Sequence, residues 1–389
     1  MSKHPASTWD PASEEFIREP LAAYDRLREQ CPAAYSERLH WTLFRHEDVM
    51  RALLDHKTFS NAVSQHLAVP SGMDQPEHTE YRRILDPYFS QERMKTFEPV
   101  CRGIATRLVL SLSARHEVDF IADVALPFAV EAQCAFLGWP PILHERLMRW
   151  TRRNHEATLA QDRKAMSEIA REFEGMIDDV MEARRQAGVG PETDVTAALM
   201  HEKVWGRPLS NEELASILRN WTVGEIGTIA AAIGILAQSL ATTPELQDQL
   251  RRDPALIPNA IREMLRVHGP LVINRRITTC PVEVGGRRFN AGERISINWI
   301  AANRDGRVFE DPDKIRIDRD PAPNLLYGAG IHFCPGAPLA NLEMRVVLEE
   351  LFNHTTQIQL VPNIPPVNAI YPAGGFSTLP LHIELVTAP

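Results

Sequence analysis

Cysteine is scarce in this chain and unpaired in its spacing: the five residues Cys31, Cys101, Cys134, Cys280 and Cys334 lie far apart. No close pair is available for a disulfide framework or a zinc site. A leading signal peptide is also missing, so the sequence reads as a reduced, cytoplasmic protein. The longest apolar run, Ile229 to Ala237, falls far short of the ~18 residues of a membrane span. Positive charge is not in excess. The 42 Lys and Arg stand against 51 Asp and Glu, which removes the electrostatic reason to expect nucleic acid as a partner. A chain of 389 residues could hold two or three domains, yet no Gly/Ser-rich linker, repeat or low-complexity block divides it. One domain over 1–389 is the reading.

What is present is mostly helix. Apolar residues recur at helical spacing from Glu14 to Arg28, His46 to Leu54, Glu92 to Leu112, Pro141 to Ala160, Arg163 to Gln186 and Ser210 to Leu240. Strand-like alternation is short and mostly confined to the ends, at His40 to Phe44, Val282 to Val284, Arg294 to Asn298, Gln357 to Val361 and Leu379 to Leu385. The expected class is mainly α with a minor β-rich lobe. Ser210 predicts the N-cap of the longest helix, with Glu213 closing a capping box.

One cysteine is set apart by its surroundings. The run Tyr327-Gly328-Ala329-Gly330-Ile331-His332-Phe333-Cys334-Pro335-Gly336 presents Cys334 in a glycine-rich loop directly before the amphipathic stretch Ala337 to His354. Gly328 and Gly330 permit backbone conformations closed to other residues, and Pro335-Gly336 turns the chain into a helix whose N-terminus faces the sulfur. A thiolate is favoured there. That arrangement suits a ligand to haem iron, which keeps the sulfur deprotonated. The other four cysteines read as inert, packed side chains.

The run resembles the cysteine-ligand loop of the cytochrome P-450 family, Phe-Gly-x-Gly-x-His-x-Cys-x-Gly, with Tyr327 where phenylalanine is usual. The likeness extends from Trp41-Thr42-Leu43-Phe44 to the terminal strands. It implies the family fold, a long central helix over haem b with the cysteine loop beneath, Cys334 as iron ligand and Gly336 in the loop that holds the cofactor. Asp74-Gln75-Pro76-Glu77-His78-Thr79-Glu80-Tyr81-Arg82 reads as a loop entering a helix, with His78 and Arg82 one turn apart on one face. The resemblance implies that both contact a haem propionate, together with His332 and with Arg276 in Asn274-Arg275-Arg276-Ile277-Thr278. Glu263-Met264-Leu265-Arg266, on a helical segment from Pro258 to His268, matches the family's Glu-x-x-Arg, and Arg319 matches the arginine upstream of the loop. These three are expected to form a charge network that holds the loop in shape.

The centre of the longest helix, Val223-Gly224-Glu225-Ile226-Gly227-Thr228-Ile229, carries two glycines, each costing about 1 kcal/mol relative to alanine in a helix interior. Either the backbone there approaches a flat cofactor or opens locally, or another helix packs tightly against it. Here the chain departs from the family, whose acid directly precedes the threonine. Thr228 is kept, but Gly227 takes the acid position and Glu225 takes the usual glycine position. Family members use the acid and the alcohol to deliver protons to dioxygen at the haem. Glu225, near the Thr228 face, either supplies or organises protons through water or is a structurally paired buried glutamate.

The implied reaction is insertion of one oxygen atom from O2 into a small apolar substrate, by hydroxylation or oxidative demethylation. No reductase or ferredoxin segment is fused to the chain, so electrons are expected from a separate ferredoxin and ferredoxin reductase. Arg82, Arg83 and Arg345 are candidates for a local docking patch. By resemblance the pocket is lined from Asn61 to Met73, by Asn220, Val223 and Gly224, by Val272 and Asn274, and by the turn from Tyr371 to Phe376. Asn220 and Asn274 either anchor a polar substituent or bond backbone, the commoner use of such groups. Two further readings stay open: a peroxide-driven or otherwise atypical haem-thiolate enzyme, and a haem protein that senses or stores a ligand.

Overall fold

The computed structural model describes residues 8–64, 66–114 and 117–386. Helices dominate and are arranged around one of them, Asn211–Thr242. Its start is a full capping box: Ser210 Oγ accepts from Glu213 N at 3.2 Å and Glu213 Oε2 accepts from Ser210 N at 2.7 Å. From Ile229 to Leu240 nearly every side chain is buried. By length and apolarity this helix alone among the described residues could cross a membrane, which the count of uninterrupted apolar residues did not anticipate. Since 67% of its most apolar window is buried inside the protein, that apolarity is spent on the core.

The helix after the cysteine loop, Ala337–His354, packs along Gln91–Leu110 and also touches the long helix and Ile257–Val267. The Glu14 to Arg28 segment is two helices, Glu14–Arg18 and Pro20–Gln30, because Pro20 lacks the N–H that would continue the first and fits the first turn of the second. Leu126–Leu137 is buried almost all round, so it offered no amphipathic stripe to read.

The β-rich lobe is a five-stranded sheet ordered Ala33–Ser36, His40–Leu43, Arg294–Asn298, Ile273–Thr278, Phe59–Ser60. The pairing of Arg294–Asn298 with His40–Leu43 is parallel, and the others are antiparallel. Thr355–Leu360, Pro380–Leu385 and Glu117–Asp119 make a second, antiparallel sheet. Register in the first sheet sets Arg276 opposite Ile295 and Ser60 opposite Ile277, which fixes where the Arg276 side chain leaves the sheet.

Candidate active site

The cysteine loop is fastened at several points. Cys334 N donates to Tyr327 O at 2.9 Å, closing the loop on itself. Gly328 and Gly330 have φ of 72° and 70°, the left-handed region. At Gly330 a side chain is excluded twice over, because a Cβ there would lie 2.7 Å from Leu53 O. Arg82 Nη1 donates to Ile331 O at 3.3 Å and to Phe333 O at 2.9 Å, while its Nε pairs with Asp86 at 2.5 Å. Arg82 thus braces the loop. Burial pushes the Cys334 thiol up, against the Gly336 N–H that steadies the thiolate, so metal coordination is what would keep the sulfur ionised.

Beside the loop, donors converge, and none of His78, His332 and Arg276 is ion-paired to an acid among the described residues. The His78 and His332 rings meet edge to face, 4.4 Å between centroids. Burial lowers His78 to about 4 and His332 to about 3, so both are neutral here. His332 Nε2 is buried with no hydrogen-bond partner among the described residues, and so is His56 Nε2. Arg276 is buried and forms no ion pair among the described residues; Nη1 bonds Arg275 O at 2.8 Å, and burial lowers the guanidinium to about 10. A buried guanidinium and two orphaned imidazole nitrogens are the donor set an anionic group requires. The residues therefore fit the carboxylates of a haem. His56 was missed by sequence reasoning, since nothing in its local sequence sets it apart from a surface histidine.

The three expected charges meet. Arg266, fully buried, pairs with both Glu263 oxygens at 2.8 and 3.1 Å and donates to the carbonyls of Asn303, Pro312 and Lys314. Arg319 Nε reaches Glu263 Oε2 at 3.0 Å, and Phe309 lies beneath both guanidinium groups. The network ties the Ile257–Val267 helix to the chain leading into the loop. Asn303 Oδ1 extends that tie by accepting from Leu325 N at 2.8 Å.

The centre of the long helix is built in the opposite way. Val223, Gly224 and Gly227 are exposed, and Asn220 and Thr228 are half-buried, in a helix otherwise packed into the core. These positions fall on one face. A Cβ at Gly224 or Gly227 would meet nothing within 4 Å, whereas one at Gly234 would run into Ile121 Cδ1. Tight helix packing therefore accounts for Gly234 and not for the central pair, which border open space. Glu225 is half-buried with Oε1 sealed, and it faces Glu343 of the Ala337–His354 helix. Burial raises both carboxyls, Glu343 well above the ordinary range, with the Glu225 charge adding to it.

Around that space, Asn220 Nδ2 bonds Val69 O at 3.1 Å, so it serves the backbone. Asn274, paired in the sheet opposite Ile297, makes no side-chain hydrogen bond among the described residues. Val272 and Phe376 are buried, Phe376 against the His268 ring. Gln65, within the expected lining segment from Asn61 to Met73, lies outside the described residues. The candidate docking arginines are already neutralised: Arg82 by Asp86, Arg83 by Glu80, and Arg345 by Glu98 and Glu349.

The family model described as cytochrome P450, here written cytochrome P-450, matches residues 144–359. The chain is 31% identical over 383 residues to the mycinamicin IV hydroxylase/epoxidase of Micromonospora griseorubida, covering 93% of this chain and 94% of that one. Among solved structures, CYP109Q5 from Chondromyces apiculatus superposes with a TM-score of 0.86 at 27% identity, covering 98% of this chain and all of that one. CYP109E1 from Bacillus megaterium in complex with corticosterone gives 0.83 at 26% identity, over 95% and 99% of the two chains.

Proposed function

The chain belongs to the cytochrome P-450 family of haem-thiolate monooxygenases, and from that premise we propose that it hydroxylates or oxidatively demethylates a small apolar organic substrate. Members bind haem b, use O2 and an organic substrate, and need redox partners. One observation carries the proposal: the open face of the long helix, bearing Thr228, in a fold that also holds Cys334 in its braced loop.

When bound, the haem supplies the oxidising chemistry of a thiolate-ligated iron. The chain's own residues do the rest. Cys334 presents sulfur from a loop with little freedom, the Gly336 N–H steadying its charge. Arg276, His332 and His56, with His78 beside them, would hold the cofactor's carboxylates, while Arg82 braces the loop and Glu263, Arg266 and Arg319 keep it in place. Thr228 holds a proton at its hydroxyl on the cavity side, and Glu225, one turn earlier, replenishes it through water. Val223, Gly224, Val272 and Phe376 exclude water and orient an apolar ligand. Electrons come from a separate ferredoxin and its reductase, and the protein works as one domain in the cytoplasm. Because its arginines are already paired, docking depends on shape more than on net charge.

Relatives guide the choice of ligand. One solved neighbour is titled as a corticosterone complex and one relative is named for hydroxylation and epoxidation of mycinamicin IV, so ring systems of these kinds join the small apolar compounds in the panel. The test is an optical titration of the ferric protein with steroids, macrolides, terpenoids, fatty acids and small aromatics, followed by product analysis with a ferredoxin system. Conversion to high spin with one class, and oxygenated product from it, is the expected outcome. A protein that takes up no thiolate-ligated haem overturns the reading. A second reading, peroxide-driven turnover, is favoured by glycine at 227 where the acid is usual, and product with peroxide but none with ferredoxin would select it.

A further inference from the structure

Two acids meet between the long helix and the helix that follows the cysteine loop. Glu343 is completely buried, and Glu225 reaches it from a half-buried position whose other side borders the cavity face of the long helix. No N–H or O–H of any other described residue bonds either Glu343 oxygen or Glu225 Oε1. Neither acid forms an ion pair with a described cation; the titratable groups around them are Tyr327 and Cys334 of the loop and Cys101 of the Gln91–Leu110 helix. Ionised carboxylates only accept hydrogen bonds, so two facing ones with no outside donor repel; one protonated partner turns the repulsion into a hydrogen bond.

We infer that Glu225 and Glu343 share one proton across the two helices, and that this pair stands in for the acid missing at Gly227. Glu343 is a positioning residue: sealed from solvent, it keeps one proton on the pair and holds Glu225 in place beside Thr228. A proton released towards Thr228 leaves the pair doubly charged, and the pair draws one proton back from water, so the store resets. The inference rests on the monooxygenase reading for its use of the proton, but not for the existence of the pair. A buried carboxyl raised by burial fits the same account, since the shared proton must persist at neutral pH.

Infrared difference spectroscopy of the haem-loaded protein at neutral pH tests it. The wild type should show the C=O band of a protonated carboxylic acid, shifted in D2O; Glu343→Gln should lose it, because the amide then donates to an ionised Glu225, and Glu225→Gln should move its frequency, because an amide replaces the shared partner. Each variant should also send more electrons to peroxide, with the double variant no worse than either. A wild-type spectrum lacking the band overturns the inference, as does a band that survives Glu343→Gln. Should Glu343→Gln fail to fold, the wild-type band decides alone, since one shared proton gives the intensity of one carboxyl at neutral pH and two independently protonated carboxyls give twice that. The thiolate spectrum of the ferrous–CO form, recorded on the same samples, separates failure of the monooxygenase reading from failure of the pair.

Discussion

The cysteine loop and the centre of the long helix are both expected to border the haem, and they are built on opposite terms. The loop is tied by its own backbone, by Arg82, by the approach of Gly330 to Leu53 and, through Asn303, to the Glu263 network. The helix centre has neighbours missing at Gly224 and Gly227 and a sealed acid whose facing partner is another acid. Holding a metal ligand demands one geometry, which many bonds enforce. Handling protons demands only a donor within reach of water, and the family's acid position can be given to glycine if another carboxyl is close.

The sharpest way to break the contrast is Cys334→Ser. Loss of the thiolate ferrous–CO spectrum and of all oxygenated product is expected, and residual product would show that the loop is not what the chemistry depends on. Glu263→Gln comes next: it leaves fully buried Arg266 short of its charge partner, which should cost about 3–5 kcal/mol in urea unfolding. A change within experimental error would mean that the loop's rigidity does not come from this network.

His268 tests the fastened side by pH. Burial lowers it to about 4 from the ordinary 6.5, so the unfolded chain binds the proton first. Stability should therefore fall as pH drops from about 6.5 towards 4, and His268→Gln should flatten that limb. Thr228→Ala belongs to the open side, where product per electron should drop on the order of tenfold while the unfolding midpoint stays put. The smallest effect separates the two kinds of glycine. Gly227→Ala should gain up to about 1 kcal/mol of stability, whereas Gly234→Ala should lose much of that gain because Ile121 must swing aside.

Legibility in the sequence followed the range of the forces involved. The capping box at Ser210, the strands Val282–Val284 and Arg294–Asn298 and the pairing of Glu263 with Arg266 are local, and each was readable from spacing. Pro20 marked a break that the helical periodicity overran. Leu126–Leu137 escaped because a helix buried on every side carries no stripe. The facing of Glu225 and Glu343, the orphaned nitrogen of His56 and the use of Arg82 on loop carbonyls all arise between segments far apart in the chain. Local pattern holds no information about such meetings. The pairing of Arg345 was hidden for the same reason, since it finds Glu98 from another helix.

One strap, in the segment that the family resemblance expects to line the pocket, has a kinetic consequence. Ser216, Arg219 and Asn220, on one face of the long helix, grip the chain at Leu67 and Val69: Ser216 Oγ accepts from Val69 N at 2.9 Å and donates to Leu67 O at 2.9 Å, Arg219 donates to Leu67 O at 2.7 Å, and Asn220 donates to Val69 O at 3.1 Å. Arg219 also holds Glu174 of the Arg163–Ala187 helix at 3.1 Å. With each bond worth about 0.5–1.5 kcal/mol net, lifting this segment costs a few kcal/mol, so the raised state is a minor population at any instant. A ligand that must pass beneath it is captured at the rate of that rare opening, and once inside it leaves just as slowly.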